Sequence, residues 1–156
     1  MREYTFHTKW LVKAPIERVW PAIREVKQWP SWWKYVKEVT EVAPGDSNGI
    51  GNIHRFTWTS LLPYRLSFEM KLVALESRKL IEGVASGDLH GRGTWKFEDR
   101  DQETFIHYIW QVQTTKSWMN LLAPIAKPAF SCNHDSVMKE GGEGLGRLLG
   151  VEVLQR

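Results

Sequence analysis

A change of hydrophobic period divides the chain into two parts. Between residues 34 and 115 apolar side chains recur at every second position, in short runs separated by turns such as Gly87-Asp88. Residues 117–149 instead follow a helical period. Recurrence at every second residue predicts strands with one buried face, and recurrence at three to four residues predicts an amphipathic helix. Short strands joined by tight turns form antiparallel sheets, so we expect such a sheet followed by one long helix.

The N-terminal segment predicts one more strand and two short helices. Residues 4–12 alternate, with Tyr4 and Phe6 beginning the more apolar face. Pro15 suits the first position of a helix, because its missing N–H has no partner within a helix there. Ile16 to Ile23 follow at helical spacing, and Trp29 to Trp33 interrupt that helix and start a second one.

The remaining boundaries complete the predicted fold. We expect strands at 36–42, 53–58, 64–74, 80–86, 89–97 and 106–112. Pro124 and Pro128 are expected to kink or split the long helix in its first half. Four glycines, Gly141, Gly142, Gly144 and Gly146, are expected to weaken its last turns. The fold class is therefore α+β, with a curved antiparallel β-sheet wrapped around a long C-terminal α-helix and two short helices after the first strand. The 156 residues fit a single domain, 1–156.

Aromatic residues are unusually abundant. The chain holds nine Trp, four Tyr and six Phe, and each such side chain can bury about 150–250 Å². A curved sheet cannot be filled completely by one straight helix. We therefore expect a cavity between sheet and helix, lined by the surplus aromatic side chains.

Two sequence motifs resemble a known family. Ala14-Pro15-Ile16-Glu17-Arg18-Val19-Trp20 precedes Trp29-Pro30-Ser31-Trp32-Trp33, and a C-terminal stretch runs from Trp118-Met119-Asn120 to Asn133-His134-Asp135. The chain resembles the START/Bet v 1-like (SRPBCC) superfamily, and within it a bacterial subgroup of the polyketide cyclase/dehydrase and lipid-transport family. The resemblance implies a helix-grip fold and a START/SRPBCC-like ligand-binding domain over residues 1–156. It leaves the function open, because the superfamily includes binders, carriers and enzymes.

Glu82 is the charged residue that bears most on chemistry. It shares strand parity with Leu80 and Val84, which would point it at the apolar face. A carboxylate there would have a raised pKa and could act as a general acid or base, or orient a ligand. The alternative is that Ile81 and Ala85 face inward and Glu82 faces solvent.

Three further polar residues are candidates. Asn133 lies on the apolar face of the predicted long helix, where its amide needs a hydrogen-bond partner. The partner could be a ligand oxygen, a backbone carbonyl freed by Pro128, or the sheet. His54 shares parity with Phe56 and Trp58, so it could line the cavity mouth or be a core histidine. His134 lies at the edge of this apolar face, and Asp135 projects away from His134, so the two are not expected to form a catalytic dyad.

The predicted site combines these groups. The candidate catalytic residues are Glu82, His54 and His134. The predicted ligand-binding residues are Trp58, Tyr64, Phe68, Met70, Glu82, Trp95, Trp110, Ile125, Ala129 and Asn133.

Other classes of function find little support in the sequence. The net charge is +3 without a basic cluster, so no nucleic-acid partner is expected. The histidines lack metal-ligand spacing, so neither a metal nor a cofactor is expected. The lone Cys132 cannot form an internal disulfide, and no apolar run could span a membrane, so we expect a cytoplasmic protein.

The sequence thus predicts a domain that binds, and possibly transports, a hydrophobic or aromatic small molecule such as a lipid or polyketide. The alternative that the resemblance suggests is an aromatase/cyclase-type enzyme using acid and base residues of the pocket. A second alternative is a protein-interaction module of the same fold, which would need a large exposed apolar patch.

Overall fold

A computed structural model describes residues 3–115 and 117–156, except for the side chains of residues 114, 118–120, 122–127 and 129. The chain begins with β1 (Glu3–Val12), α1 (Ile16–Arg24), a 3-10 turn (Val26–Gln28) and α2 (Trp29–Trp32). The strands that follow are β2 (Val36–Ala43), β3 (Ile53–Trp58), β4 (Leu66–Glu76), β5 (Leu80–Gly87), β6 (Leu89–Arg100) and β7 (Glu103–Thr114). The chain ends with α3 (Ser117–Leu149) and β8 (Val153–Gln155).

All eight strands belong to one curved antiparallel sheet, in the order β2-β3-β4-β5-β6-β7-β1-β8. Strands β2 to β7 pair as sequential hairpins, and β1 pairs along its length with β7, from Glu3 opposite Gln113 to Val12 opposite Thr104. The sheet, the long helix and the two short helices confirm the predicted fold class.

Two features of the C-terminal part differ from the sequence expectations. Helix α3 runs without a break from Ser117 to Leu149, so Pro124 and Pro128 do not split it. Each proline removes one main-chain donor, and the neighbouring turns maintain the helix. Strand β8 was not predicted, because its three residues are too few to show a period. It follows Gly150, which turns the chain with a φ of 68°, and it pairs with β1.

A cluster of tryptophans packs α2 and the residue that follows it against the sheet. Trp33 is 1% exposed, and its ring centroid lies between 5.0 and 6.4 Å from those of five other tryptophans: Trp10, Trp29, Trp32, Trp58 and Trp95. Its Nε1 donates a hydrogen bond to the carbonyl oxygen of Val137 in α3, at 2.9 Å. Trp33 therefore joins α2, α3 and the sheet in one packed core.

The glycines of α3 allow the helix to approach this cluster. A Cβ added at Gly141 would lie 2.5 Å from Cε2 of Trp33, and one at Gly144 would overlap the carbonyl oxygen of Trp32. The expected weakening of the last turns is thus accompanied by close packing, which larger residues would prevent.

Substituting Gly144→Ala is expected to lower the free energy of unfolding by about 2 kcal/mol. So close an overlap with a main-chain oxygen belongs at the upper end of the usual cost of overpacking, about 3 kcal/mol, and the gain in helix propensity of about 1 kcal/mol offsets part of it. Urea denaturation measures the loss, with Glu143→Ala at the adjacent exposed position as the control. Equal stability of the two variants would contradict close helix packing at Gly144.

Candidate functional site

A cavity of about 350 Å³ lies between the concave face of the sheet and α3. Its size falls in the range of about 300–1,000 Å³ that is typical of small-molecule sites. Twelve of its lining side chains are those of Phe, Tyr or Trp: Tyr4, Phe6, Trp29, Trp33, Phe56, Trp58, Tyr64, Phe68, Trp95, Tyr108, Trp110 and Phe130. Several of these rings, among them Trp33, Trp95 and Trp110, also belong to the hydrophobic core, so core and cavity share the same aromatic side chains.

The aromatic wall follows from strand register. Phe56 of β3 lies opposite Phe68 of β4, and their ring centroids are 6.3 Å apart. The ring centroids of Phe68 and Trp110 of β7 are 5.7 Å apart, on opposite sides of the small residues of β5 and β6. On the helix side, Phe130 of α3 meets Tyr4 of β1 edge-on, at 5.7 Å. Sheet and helix together supply a continuous aromatic surface.

Most of the predicted site residues border this cavity. They are Trp58, Tyr64, Phe68, Met70, Trp95, Trp110 and Asn133 among the ligand-binding candidates, and His54 and His134 among the catalytic candidates. The side chains of Ile125 and Ala129 lie outside the described residues. The binding and catalytic roles of all these residues stay predictions.

Glu82 requires a correction, because it does not face the cavity. Its neighbours Ile81 and Gly83 line the cavity, and Glu82 pairs on the other face of the sheet with Arg92 at 3.1 Å and Thr94 at 3.3 Å. The alternation of apolar residues could not decide which way Glu82 points, because this strand carries apolar residues on both faces. The arrangement with Ile81 inward is the one observed, and it removes Glu82 from the candidate site.

His54 lies at a charged rim of the cavity. Its Nε2 is 3.9 Å from Oε1 of Glu41, and the same oxygen is 3.7 Å from Nζ of Lys27. Burial lowers the pKa of His54, and the Glu41 carboxylate opposes that effect. Arg24 also borders the cavity here, so charged side chains of both signs meet at this rim.

His134 is buried on the helix side. Its ring stacks on Phe6 with centroids 4.2 Å apart, and desolvation lowers its pKa to about 4. Its Nδ1 has no hydrogen-bond partner among the described residues. Asp135 Oδ1 is 4.0 Å away on a side chain that is 78% exposed, too far for a hydrogen bond. The absence of a His134–Asp135 dyad agrees with the sequence expectation.

Asn133 holds a loop rather than the sheet. Its Oδ1 accepts a hydrogen bond of 3.2 Å from the backbone N–H of Leu61, in the loop between β3 and β4. None of the three partners considered from the sequence included this loop. The amide joins α3 to the segment that carries Tyr64 into the cavity.

Tyr108 is the main residue that the sequence reasoning did not select. It shares strand parity with Trp110, which was selected, and this signal could have identified it. Its ring stacks on Trp95 with centroids 4.1 Å apart, and burial raises the pKa of its hydroxyl. Trp29 and Trp33, which belong to the N-terminal sequence motif, also reach the cavity.

The described residues offer neither a metal site nor a membrane span. No three His, Cys, Asp or Glu side chains among them come close enough together to hold a metal ion. No helix in the described ranges combines the length and apolar character needed to cross a bilayer.

Solved structures share this fold over nearly the whole chain. TTHA0849 from Thermus thermophilus is 17% identical with a TM-score of 0.71, and the aligned region covers 92% of this chain and 97% of TTHA0849. A START superfamily protein from Mycobacterium smegmatis is 12% identical with a TM-score of 0.71, covering 93% and 95%. The Zhui aromatase/cyclase from Streptomyces sp. R1128 is 12% identical with a TM-score of 0.62, covering 94% and 96%. At these identities the similarity shows the fold alone.

The sequence itself matches a family model. No curated protein sequence matches the chain. The model described as polyketide cyclase / dehydrase and lipid transport matches residues 4–141, which is most of the chain. The protein therefore belongs to the polyketide cyclase/dehydrase and lipid-transport family.

Proposed function

We propose that this protein binds, and carries, a hydrophobic or aromatic small molecule such as a lipid or a polyketide in the cavity beneath α3. The observation that carries the proposal is the cavity of about 350 Å³ with its continuous aromatic lining. Family membership supports a ligand-binding role of this general kind. Apolar contact with the walls would supply most of the affinity, because burying apolar surface gains about 25 cal/mol per Å².

Narrowing the cavity should reduce binding. Val137 lines the cavity from α3, and Val137→Trp would place a large side chain in the space that a ligand needs. We expect the affinity for the neutral fluorescent probe N-phenyl-naphthylamine to fall at least tenfold, which corresponds to about 1.4 kcal/mol. Fluorescence titration of the purified protein measures this change.

Lys139→Trp is the matched control. It adds the same side chain two positions along the same helix, where the residue is exposed, and it should leave probe affinity within twofold. Equal weakening by both variants, or no binding by the unmodified protein, would count against the proposal. Native mass spectrometry of protein purified from its own source would then identify a co-purifying ligand by mass.

The second candidate is an aromatase/cyclase-type enzyme. Two titratable side chains, His54 and His134, border the same cavity, and both have lowered pKa values. A neutral imidazole can accept a proton at neutral pH, as carbon–carbon bond formation in a poly-β-ketone chain requires. Conversion of a poly-β-ketone analogue, followed by mass spectrometry, would favour the enzyme, whereas recovery of unchanged analogue would favour the carrier.

The interaction module receives less support from the described surface. The large hydrophobic side chains that are exposed there are Val42, Leu61, Val73, Leu121 and Leu148. They lie on β2, a loop, β4 and opposite ends of α3, rather than on one element.

A further inference from the structure

Tyr108 brings a hydroxyl group to the cavity, as Tyr4 and Tyr64 also do. It lies in the middle of β7, between Trp95, whose centroid is 4.1 Å away, and Trp110, at 6.2 Å. Both neighbouring rings are stacked on it within about 30° of parallel. The phenol is therefore held in one place by a stack of three rings.

Gly93 makes the room for this hydroxyl. It lies beside Tyr108 on β6, and a Cβ added there would be 2.9 Å from the Tyr108 oxygen and 3.1 Å from the ring of Trp110. A side chain at position 93 would cover the hydroxyl and narrow the cavity. Glycine instead leaves the sheet surface open at this point.

The hydroxyl makes no hydrogen bond to a residue that the structure describes, and Tyr108 is only partly buried where it borders the cavity, so a ligand can reach it. A ligand oxygen inside the cavity could supply the missing partner. The same group both donates and accepts, so a ligand hydroxyl or carbonyl would satisfy it.

The charges of the cavity limit the ligand further. The charged side chains in the described lining are Arg24, Glu25, Lys27 and Glu41, which belong to α1, the segment after it and β2. None of them comes from β6 or β7, where Tyr108 lies. A carboxylate placed beside Tyr108 would lose its hydration without gaining a cation, and this costs several kcal/mol.

We propose that the Tyr108 hydroxyl is the hydrogen-bonding anchor for a neutral aromatic ligand, which presents a hydroxyl or carbonyl oxygen to it and stacks against Trp110. This inference rests on the proposed binding function and adds to it a ligand class and a positioning residue. At Tyr108 the cavity favours neutral oxygen-bearing aromatic molecules over carboxylates, because the cations of the described lining, Arg24 and Lys27, lie on other elements.

Three probes of nearly the same shape test the inference: naphthalene, 2-naphthol and 2-naphthoate. At pH 7, 2-naphthol should bind about tenfold more tightly than naphthalene, the effect of one hydrogen bond. The anionic 2-naphthoate should bind at least tenfold more weakly than 2-naphthol. Tyr108→Phe should abolish the advantage of 2-naphthol over naphthalene. Quenching of tryptophan fluorescence and calorimetry both measure these affinities.

Tyr35→Phe provides the matched control, because Tyr35 is buried but lies outside the cavity lining. It should leave all three affinities unchanged. If no probe binds the unmodified protein, the proposed binding function fails. If naphthalene binds but 2-naphthol has no advantage, or if 2-naphthoate binds as tightly as 2-naphthol, only the anchoring role of Tyr108 is overturned. These comparisons use the unmodified protein, so they decide the matter even if Tyr108→Phe does not fold.

Discussion

Replacing Trp33 by alanine is expected to lower the free energy of unfolding by about 4 kcal/mol. Truncating a fully buried tryptophan costs about 3–5 kcal/mol, since it removes apolar contact and leaves a cavity. Trp33 is 1% exposed and lies among five other tryptophans. The variant also loses the hydrogen bond to Val137 that ties α2 to α3. Urea denaturation followed by circular dichroism measures the change.

Two further variants locate the origin of the loss. Trp33→Phe keeps an aromatic ring but removes the donor to Val137, so it should cost less than Trp33→Ala. Trp20→Ala removes a tryptophan that is only partly buried and meets Phe97 at 5.0 Å, so it should also cost less. A loss at Trp33 no larger than that at Trp20 would show that Trp33 does not organise the core.

Acidification is expected to destabilise the protein through His134. Its pKa is about 4 in the folded chain, against 6.5 for an unperturbed histidine. Between these pH values the unfolded chain binds the additional proton, so stability falls as the pH is lowered from about 6.5 to 4. The difference of about 2.5 pH units corresponds to a contribution of about 3 kcal/mol to the free energy of unfolding, and this contribution is fully lost below pH 4.

Comparison of variants isolates this contribution. Between pH 7 and 4, His134→Gln should lose about 3 kcal/mol less stability than the unmodified protein. The stability that the His134→Gln variant still loses on acidification includes the contribution of His54, whose pKa is also lowered by burial. His90→Gln, at an exposed position on β6, should keep the full acid loss. Parallel pH profiles for the His134→Gln variant and the unmodified protein would show that His134 is not buried in its neutral form.

The architecture could be predicted because each long element repeats its pattern many times. Strand β7 and its partners show alternation over several residues, and α3 extends over 33 residues, long enough for helical spacing to be seen in the sequence. Strand β8 could not be found in this way, because it has three residues and forms only by pairing with β1. Periodicity therefore predicts elements that carry their own pattern, and misses those that depend on a partner.

The candidate site was predicted less completely, because its details depend on contacts between distant residues. Glu82 was ambiguous because both faces of its strand carry apolar side chains. Asn133 bonds to Leu61, which is 72 positions away in the sequence. Gly141 appeared only as a weak helix former, although its position against Trp33 is what lets α3 pack closely. Sequence patterns give the direction of a side chain along its own element, but not the element that it meets.

The tryptophan indole signals offer the most direct test of ligand binding beneath α3. Two-dimensional ¹H–¹⁵N NMR records each indole N–H separately while N-phenyl-naphthylamine is added to saturation. Binding in the cavity predicts that the signals of Trp58, Trp95 and Trp110 shift, because these side chains line it. The signals of Trp20 and Trp32 should stay in place, because these residues lie outside the lining. Shifts confined to Trp20 and Trp32, or no shifts at a saturating probe concentration, would contradict the cavity as the binding site.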